Sequence, residues 1–169
     1  MPKVAFDALP DRGRLWVFLA TQALSSVQSD AFLQAVDSFL DAWAAHGVPL
    51  RSGRELREDR FLVIGVDVDA EAPSGCSIDA LVNRLRGLGT ELSVSIIDHA
   101  PVWYRDGEEI RTVTRAEFRA LVESGAVGPE THVFDTSLTT IGSFRAGELE
   151  QPAAATWHGR AFFKAHVSN

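Results

Sequence analysis

Apolar positions along the chain switch between two spacings, and the switches mark out the elements. Leu15 to Ala20 is an unbroken apolar run bounded by Arg14 and Thr21, the length and composition of a buried strand. Beyond it the period lengthens. Phe32, Leu33, Val36, Phe39, Leu40 and Trp43 recur at three- and four-residue steps, which predicts a helix with Ser29 as its N-cap and His46-Gly47 at its end. Leu50 to Leu56 and Phe61 to Val68 flank the charged stretch Arg57 to Arg60, so they read as a hairpin whose second strand is apolar and β-branched. Ser77 caps a second predicted helix with a stripe of Ile78, Leu81, Val82, Leu85 and Leu88, Asp79 in its first turn and Gly89 at its end. Leu92 to Ile97 returns as a strand.

Strand, helix, strand, strand, helix, strand is the ferredoxin-like βαββαβ order. Residues 14 to 104 are therefore expected to form an α+β sandwich with strand order 4-1-3-2. After Pro101 the texture changes. Val102 to Tyr104 and Ile110 to Val113 flank the turn Asp106-Gly107 and predict a small hairpin. Thr114 and Glu117 have capping-box spacing before Phe118, Leu121 and Val122, and Gly125 closes that short helix. Thr131 to Phe134 follows, then a tail whose Trp157, Phe162 and Phe163 are expected to dock, since exposed aromatic surface is costly. The division this predicts is 1–104 as a ferredoxin-like α/β domain and 105–169 as a small β/α module with a docking tail.

Composition narrows the class. The 169 residues are 46% hydrophobic and 23% charged, enough to bury a core without a metal or a disulfide. Cysteine occurs once, at Cys76, which fits a reducing, cytoplasmic setting. No apolar run approaches the ~20 residues of a membrane-spanning helix, and residues 1–9 lack the unbroken stretch of a signal peptide, so membrane insertion and export are not expected. The net charge of -7 and pI near 5.2 repel phosphate backbones and argue against nucleic acid as a partner. Arg51, Arg54, Arg57 and Arg60 recur every third residue, but Glu55, Glu58 and Asp59 among them cancel much of the field.

Five stretches, Phe6 to Val17, Trp43 to Leu50, Phe61 to Asp67, Ser74 to Asp79 (SGCSID) and Thr156 to Phe162 (TWHGRAF), carry a resemblance to a family of small uncharacterised proteins of Bacteroidetes-like bacteria. SGCSID is the most specific of them. Members of that family are often labelled "ABC transporter ATPase". The label conflicts with the residues: a P-loop needs GxxxxGK[ST], and the two lysines, Lys3 and Lys164, follow no glycine loop. Separately, Trp103 to Val133 resembles the small GYF-like interaction modules in its turn, capped helix and glycine. Those modules show a glycine-proline step after the first hairpin, where this chain has Ile110, Arg111 and Thr112.

For chemistry, Cys76 stands out, because a thiol at the start of a helix faces the positive end of the dipole, which favours the nucleophilic thiolate. In the 4-1-3-2 sheet the third and fourth strands end at one rim, which would bring Cys76 near His99, with His46 finishing the first helix there. Cys76 with His99 or His46 as base is thus the candidate catalytic set. The simpler reading is a small buried cysteine in a turn made by Ser74 and Gly75, with Ser77 capping the helix.

The five histidines lack HxH or HExxH spacing and read as surface or capping residues, and Asp67, Asp69 and Glu71 read as a solvated strand end, so no metal and no cofactor are expected. Ser25, Ser26 and the serines around Cys76 lack a GxSxG elbow. Core packing accounts for most of the four tryptophans.

These readings favour a non-enzymatic protein that binds an unidentified protein or small molecule. The ferredoxin-like domain would present its sheet, and the open edge would let a second copy pair as a homodimer. The alternative is a thiol-dependent enzyme or redox sensor centred on Cys76.

Overall fold

A computed structural model describes residues 3–97 and 102–163 of the chain. In chain order the first elements are β1 (Arg14–Ala20), α1 (Ser26–Ala42), β2 (Ala44–Ala45), β3 (Val48–Pro49), β4 (Ser52–Arg57), β5 (Phe61–Val66), α2 (Gly75–Leu92) and β6 (Ile96–Ile97). There follow β7 (Val102–Asp106), β8 (Glu109–Val113), α3 (Arg115–Ser124), β9 (His132–Phe134), α4 (Ile141–Arg145), β10 (Glu150–Pro152) and α5 (Trp157–Phe162). The protein is α+β, and its two larger sheets each have four strands.

Two compact units divide the chain. The first gathers residues 3–97 and takes back Ser137–Arg145; the second gathers 102–136 and 146–163. A single cut at residue 104 does not describe this excursion, because nothing in the polarity of 137–145 distinguishes a segment that packs on a distant sheet from a local loop.

In the first unit the sheet order is β4-β5-β1-β6 with every neighbouring pair antiparallel. This is the 4-1-3-2 order expected of the βαββαβ pattern. β6 is shorter than expected, because α2 continues through Leu92 and ends at Ser93 in the left-handed conformation. Gly89, expected to end the helix, lies inside it. A Cβ at Gly89 would stand 2.6 Å from the Val94 carbonyl, so glycine here lets the returning chain cross the helix closely.

Both helices start one capping box earlier than expected. Ser25, not Ser29, caps α1: its hydroxyl accepts from the Gln28 amide at 3.1 Å, and the Gln28 side chain accepts from the Ser25 amide at 2.9 Å. Ser74, not Ser77, caps α2, and Ser77 is the reciprocal partner at the third position. In both cases the cap with a polar residue three places on satisfies two free amides instead of one.

The first helix also stops sooner, at Ala42. Trp43 turns extended, and its indole N–H donates to the Ser77 carbonyl at 2.8 Å, which ties the end of α1 to the first turn of α2. His46 and Gly47, with φ of 52° and 78°, then form the two-residue turn of the β2–β3 hairpin. Two consecutive positive φ values match the twist of a tight hairpin.

Alternation along β1 and β5 sends side chains to both sheet faces. On one face Phe18, Ala20, Leu62, Ile64 and Val66 meet Phe32, Val36 and Leu40 of α1 and Leu81, Leu85 and Leu88 of α2. On the other face Leu15, Val17, Leu19, Phe61 and Val63 are also buried. That second face is not presented to solvent, contrary to the expectation of an open sheet. Phe6 and Leu9 lie against it beside Gly65, and so does Ile141 of α4; a Cβ at Gly65 would stand 2.9 to 3.0 Å from all three. Phe6 and Phe144 meet edge to face at 5.6 Å.

Backbone bonds fix the returning segment: Leu15 N–H to Thr139 O at 2.9 Å, Ile141 N–H to Gly13 O at 3.0 Å and Gly142 N–H to Asp11 O at 2.8 Å. Arg145 adds bonds to the Asp11 carboxylate and the Phe6 carbonyl. The β4 edge is covered at one end, where the Val4 amide donates to Ser52 O at 2.7 Å. Charged Arg54, Glu55 and Arg57 occupy the remainder, a pattern that discourages strand addition.

In the second unit the order is β10-β9-β7-β8, again antiparallel. Val102, Tyr104, Phe118, Val127, Val133, Ala153, Phe162 and Phe163 form its core. The aromatic tail docks there: Phe118 and Phe162 meet edge to face at 4.8 Å. Arg105 of β7 reaches Glu150 of β10 through two bonds of 2.6 and 2.9 Å.

If Ser137–Arg145 is a structural part of the first unit, Ile141→Ala lowers stability by about 2–5 kcal/mol, the range for deleting a fully buried aliphatic side chain. Urea denaturation measures it. Thr139→Ala, on the exposed stretch of the same segment, is expected to change stability by less than about 0.5 kcal/mol.

Candidate functional site

Two members of the expected thiol set, Cys76 and His46, lie among the described residues. Cys76 is the second residue of α2 and is exposed, which corrects the reading of a small buried cysteine. The buried residue of this turn is Ser77, because the reciprocal capping box pulls the third position inward and leaves the second pointing out. His46 is exposed at the tip of the β2–β3 hairpin rather than at a helix end, and no hydrogen bond joins it to Cys76. His99 lies outside the described residues. Ile97, the last described residue of β6, pairs with Leu19, level with Phe61 at the start of β5.

Among the described residues no group of three or more His, Cys, Asp and Glu side chains could hold a metal ion. Asp67 faces Arg51 at 3.6 Å, and Asp69 is bound by Arg12, so these carboxylates are occupied by guanidinium groups rather than by each other. The arginine series is likewise neutralised along its length. Arg54 binds Asp37 through two bonds of 2.8 Å, which holds the Asp37 carboxyl below its usual range and raises the guanidinium; Arg57 pairs with Glu55. No described helix is long and apolar enough to cross a membrane.

A concavity lies in the second unit, between β8 and α3. It has a volume of about 560 Å³, and Tyr104, Arg111, Thr112, Val113, Glu117, Ala120, Leu121 and Ser124 line it. Its construction follows from three local choices. The two-residue turn Gly107-Glu108, with φ of 64° at Gly107, folds β8 back on β7. Thr114 then caps α3, its hydroxyl accepting from the Glu117 amide at 3.0 Å while the Glu117 carboxylate accepts from the Thr114 amide at 2.8 Å. Phe118 is fully buried against Tyr104, with ring centroids 5.8 Å apart, and this anchors α3 over the sheet so that Ala120, Leu121 and Ser124 face β8.

Two charged side chains line this groove, Arg111 and Glu117. Arg111 donates to Asp106 at 2.7 Å and to Glu109 at 2.8 Å, and both carboxylates raise its pKa. The Thr114 backbone and hydroxyl bonds lower that of Glu117. The apolar part of the lining is Val113, Ala120 and Leu121, beside the buried Tyr104. The sequence reading saw the hairpin and the capped helix but not the groove, since a concavity is made by the angle between two elements and leaves no spacing signal.

His158, read from the sequence as a surface or capping residue, is buried at 1% exposure. The Thr156 hydroxyl donates to the Ala153 carbonyl at 3.0 Å and stands 2.8 Å from His158 Nδ1, so Nδ1 carries the proton and donates to it. Trp157 stacks on the imidazole at 3.9 Å, and Arg115 lies over the Trp157 ring. The available signal was the run Thr156-Trp157-His158, a capping residue followed by two rings at the start of a short helix.

Burial pushes the His158 imidazole down to about 4, with Asp135 opposing and Arg115 adding to the shift. Because the folded value lies below the unfolded one, the unfolded chain takes up the proton first as pH falls. The stability that depends on neutral His158 is therefore complete above pH ~6.5 and is lost between there and about 4, by at most about 3 kcal/mol. Urea midpoints across this range are expected to fall with pH in the wild type, and His158→Gln to flatten that dependence.

Compared with protein-family profiles, curated proteins and solved structures, the chain matches none of them.

Proposed function

We propose that this is a non-enzymatic partner-binding protein whose binding surface is the groove between β8 and α3. The observation that carries the reading is the groove's lining: Val113, Ala120 and Leu121 form an apolar stretch between β8 and α3, with Arg111 at its rim paired to Asp106 and Glu109. Apolar surface in such a setting gains free energy when a ligand removes it from water, at about 25 cal/mol per Å². Pockets of several hundred Å³ with few polar groups are the usual form of a binding site.

The resemblance of Trp103 to Val133 to GYF-like interaction modules supports the same surface, because all eight lining residues fall within that stretch. Ile110, Arg111 and Thr112 depart from those modules in β8 itself, so the chemistry of their ligands is not carried over. The first unit then serves as the body to which the module is joined by three chain passages, near residues 100, 136 and 146.

One observation favours the rival reading, a thiol-dependent protein: Cys76 is accessible on the first turn of an 18-residue helix. It has no hydrogen-bonded base among the described residues. A random peptide library displayed on phage and selected on the immobilised full chain separates the two. Enriched peptides are expected to bind Ala120→Arg at least about tenfold more weakly, since an exposed alanine becomes a bulky cation in the groove, and to bind Cys76→Ser as they bind the wild type. Failure to enrich any peptide, or binders unaffected by Ala120→Arg, would sink the groove reading, and loss of binding in Cys76→Ser would move the site to the thiol.

A further inference from the structure

We infer that the groove takes a cationic partner: a peptide segment whose apolar side chains lie against Val113, Ala120 and Leu121, while lysine or arginine side chains beside them meet the carboxylates at the groove's two ends. The inference rests on the groove being the binding surface, and it adds the partner's charge.

Charge along the rim is the first reason. At the turn that opens β8, Asp106 and Glu109 stand opposite each other, and Arg111 bonds to both at 2.7 and 2.8 Å. One cation against two carboxylates leaves this triad net negative, and the exposed Glu108 in the same turn adds to it. At the far end of β8 the Glu117 carboxylate accepts from the amide of Thr114, the residue after Val113. An amide bond steadies a carboxylate without cancelling its charge, and the Thr114 bonds lower its pKa, so Glu117 stays ionised. Both ends of the groove are therefore acidic.

The sorting of charge around α3 is the second reason. Arg115 and Arg119, one turn apart, stand over the rings of Trp157 and Phe162, while Glu117, Ala120, Leu121 and Ser124 line the groove. At 3.6 residues per turn Glu117 lies about 200° around the helix from Arg115. The arginines of α3 are thus engaged on its far side, and the helix offers the groove a carboxylate. Arg111, the one cation among the lining residues, is already held by two carboxylates.

Size and area are the third. From Glu109 to Val113 is four residues of strand, ~14 Å at about 3.4 Å each, so an extended segment of about five residues reaches from one set of carboxylates to the other with its middle over the apolar lining. Ala120 is exposed, but Val113 and Leu121 are half-buried, so the apolar area left to cover is modest and charge complementarity decides which partner docks. An acidic segment would bring like charge to both ends, and an uncharged one would leave the carboxylates unmatched.

The test uses the full chain and the peptides enriched on it, each placed by the NMR shifts of the Val113, Ala120 and Leu121 amides, a readout that does not depend on charge. Peptides that move these amides are expected to carry lysine or arginine beside apolar residues. By fluorescence anisotropy they should bind about fivefold more weakly when salt rises from about 0.05 to 1 M, where the screening length falls to ~3 Å. Glu109→Gln combined with Glu117→Gln is expected to weaken them about tenfold, whereas Glu130→Gln, which removes one charge from the loop before β9, should change affinity less than about twofold. Glutamine at 117 can still accept from the Thr114 amide, and Asp106 still holds Arg111, so weaker binding by the double variant reports charge and not unfolding. Peptides that move the groove amides yet are neutral or acidic, ignore salt, bind the double variant as they bind the wild type, or lose as much with Glu130→Gln would overturn the cationic partner and leave the groove standing. If no enriched peptide moves those amides, the groove and its charge preference fall together.

Discussion

The central strands β1 and β5 are apolar on both faces, and most of the architecture of the first unit answers that constraint. Every residue from Phe61 to Val66 is buried. A strand of this kind cannot sit in a sheet with one wet face, because each exposed side would leave several large side chains in water at 1.5–3 kcal/mol apiece. The two helices cover one face. The other is closed by Phe6, Leu9 and the returning residues Ile141 and Phe144, which is why the chain leaves the second unit and comes back.

That solution has a consequence for independence. The first unit is completed by residues that follow α3 and β9 in sequence, so the second unit is interrupted by the first unit's own cover. The second unit keeps a core of its own through Phe118, Phe162 and Phe163, and the same residues that build this core hold α3 away from β8. Packing and binding surface are in this way one construction: Phe118 supports the helix from below, and the gap beyond it becomes the groove.

Polar satisfaction follows a common scheme in both units. Three helices begin with a reciprocal capping box, at Ser25, Ser74 and Thr114, and the larger guanidinium groups meet carboxylates on neighbouring elements, as Arg54 meets Asp37 and Arg105 meets Glu150.

Much of the fold was legible in local pattern. The period change after Ala20 marked α1, the run Phe61 to Val66 marked an apolar strand, and Thr114 with Glu117 marked the start of α3, because spacing and capping are properties of a few adjacent residues. Where two serines competed for a cap, at Ser25 against Ser29 and Ser74 against Ser77, the side chain three places on decided, and that too was present in the sequence. Other outcomes depended on residues far apart in the chain. Ile141 reaching Gly65, His158 sinking beneath Trp157, Cys76 turning outward and the groove opening between β8 and α3 follow from how elements pack. The sequence determined which segments would be helix or strand and which faces were apolar, since short-range geometry sets those. Tertiary structure decided which apolar face met which, and so where a concavity was left between two elements, because burial is settled by competition among all the faces at once.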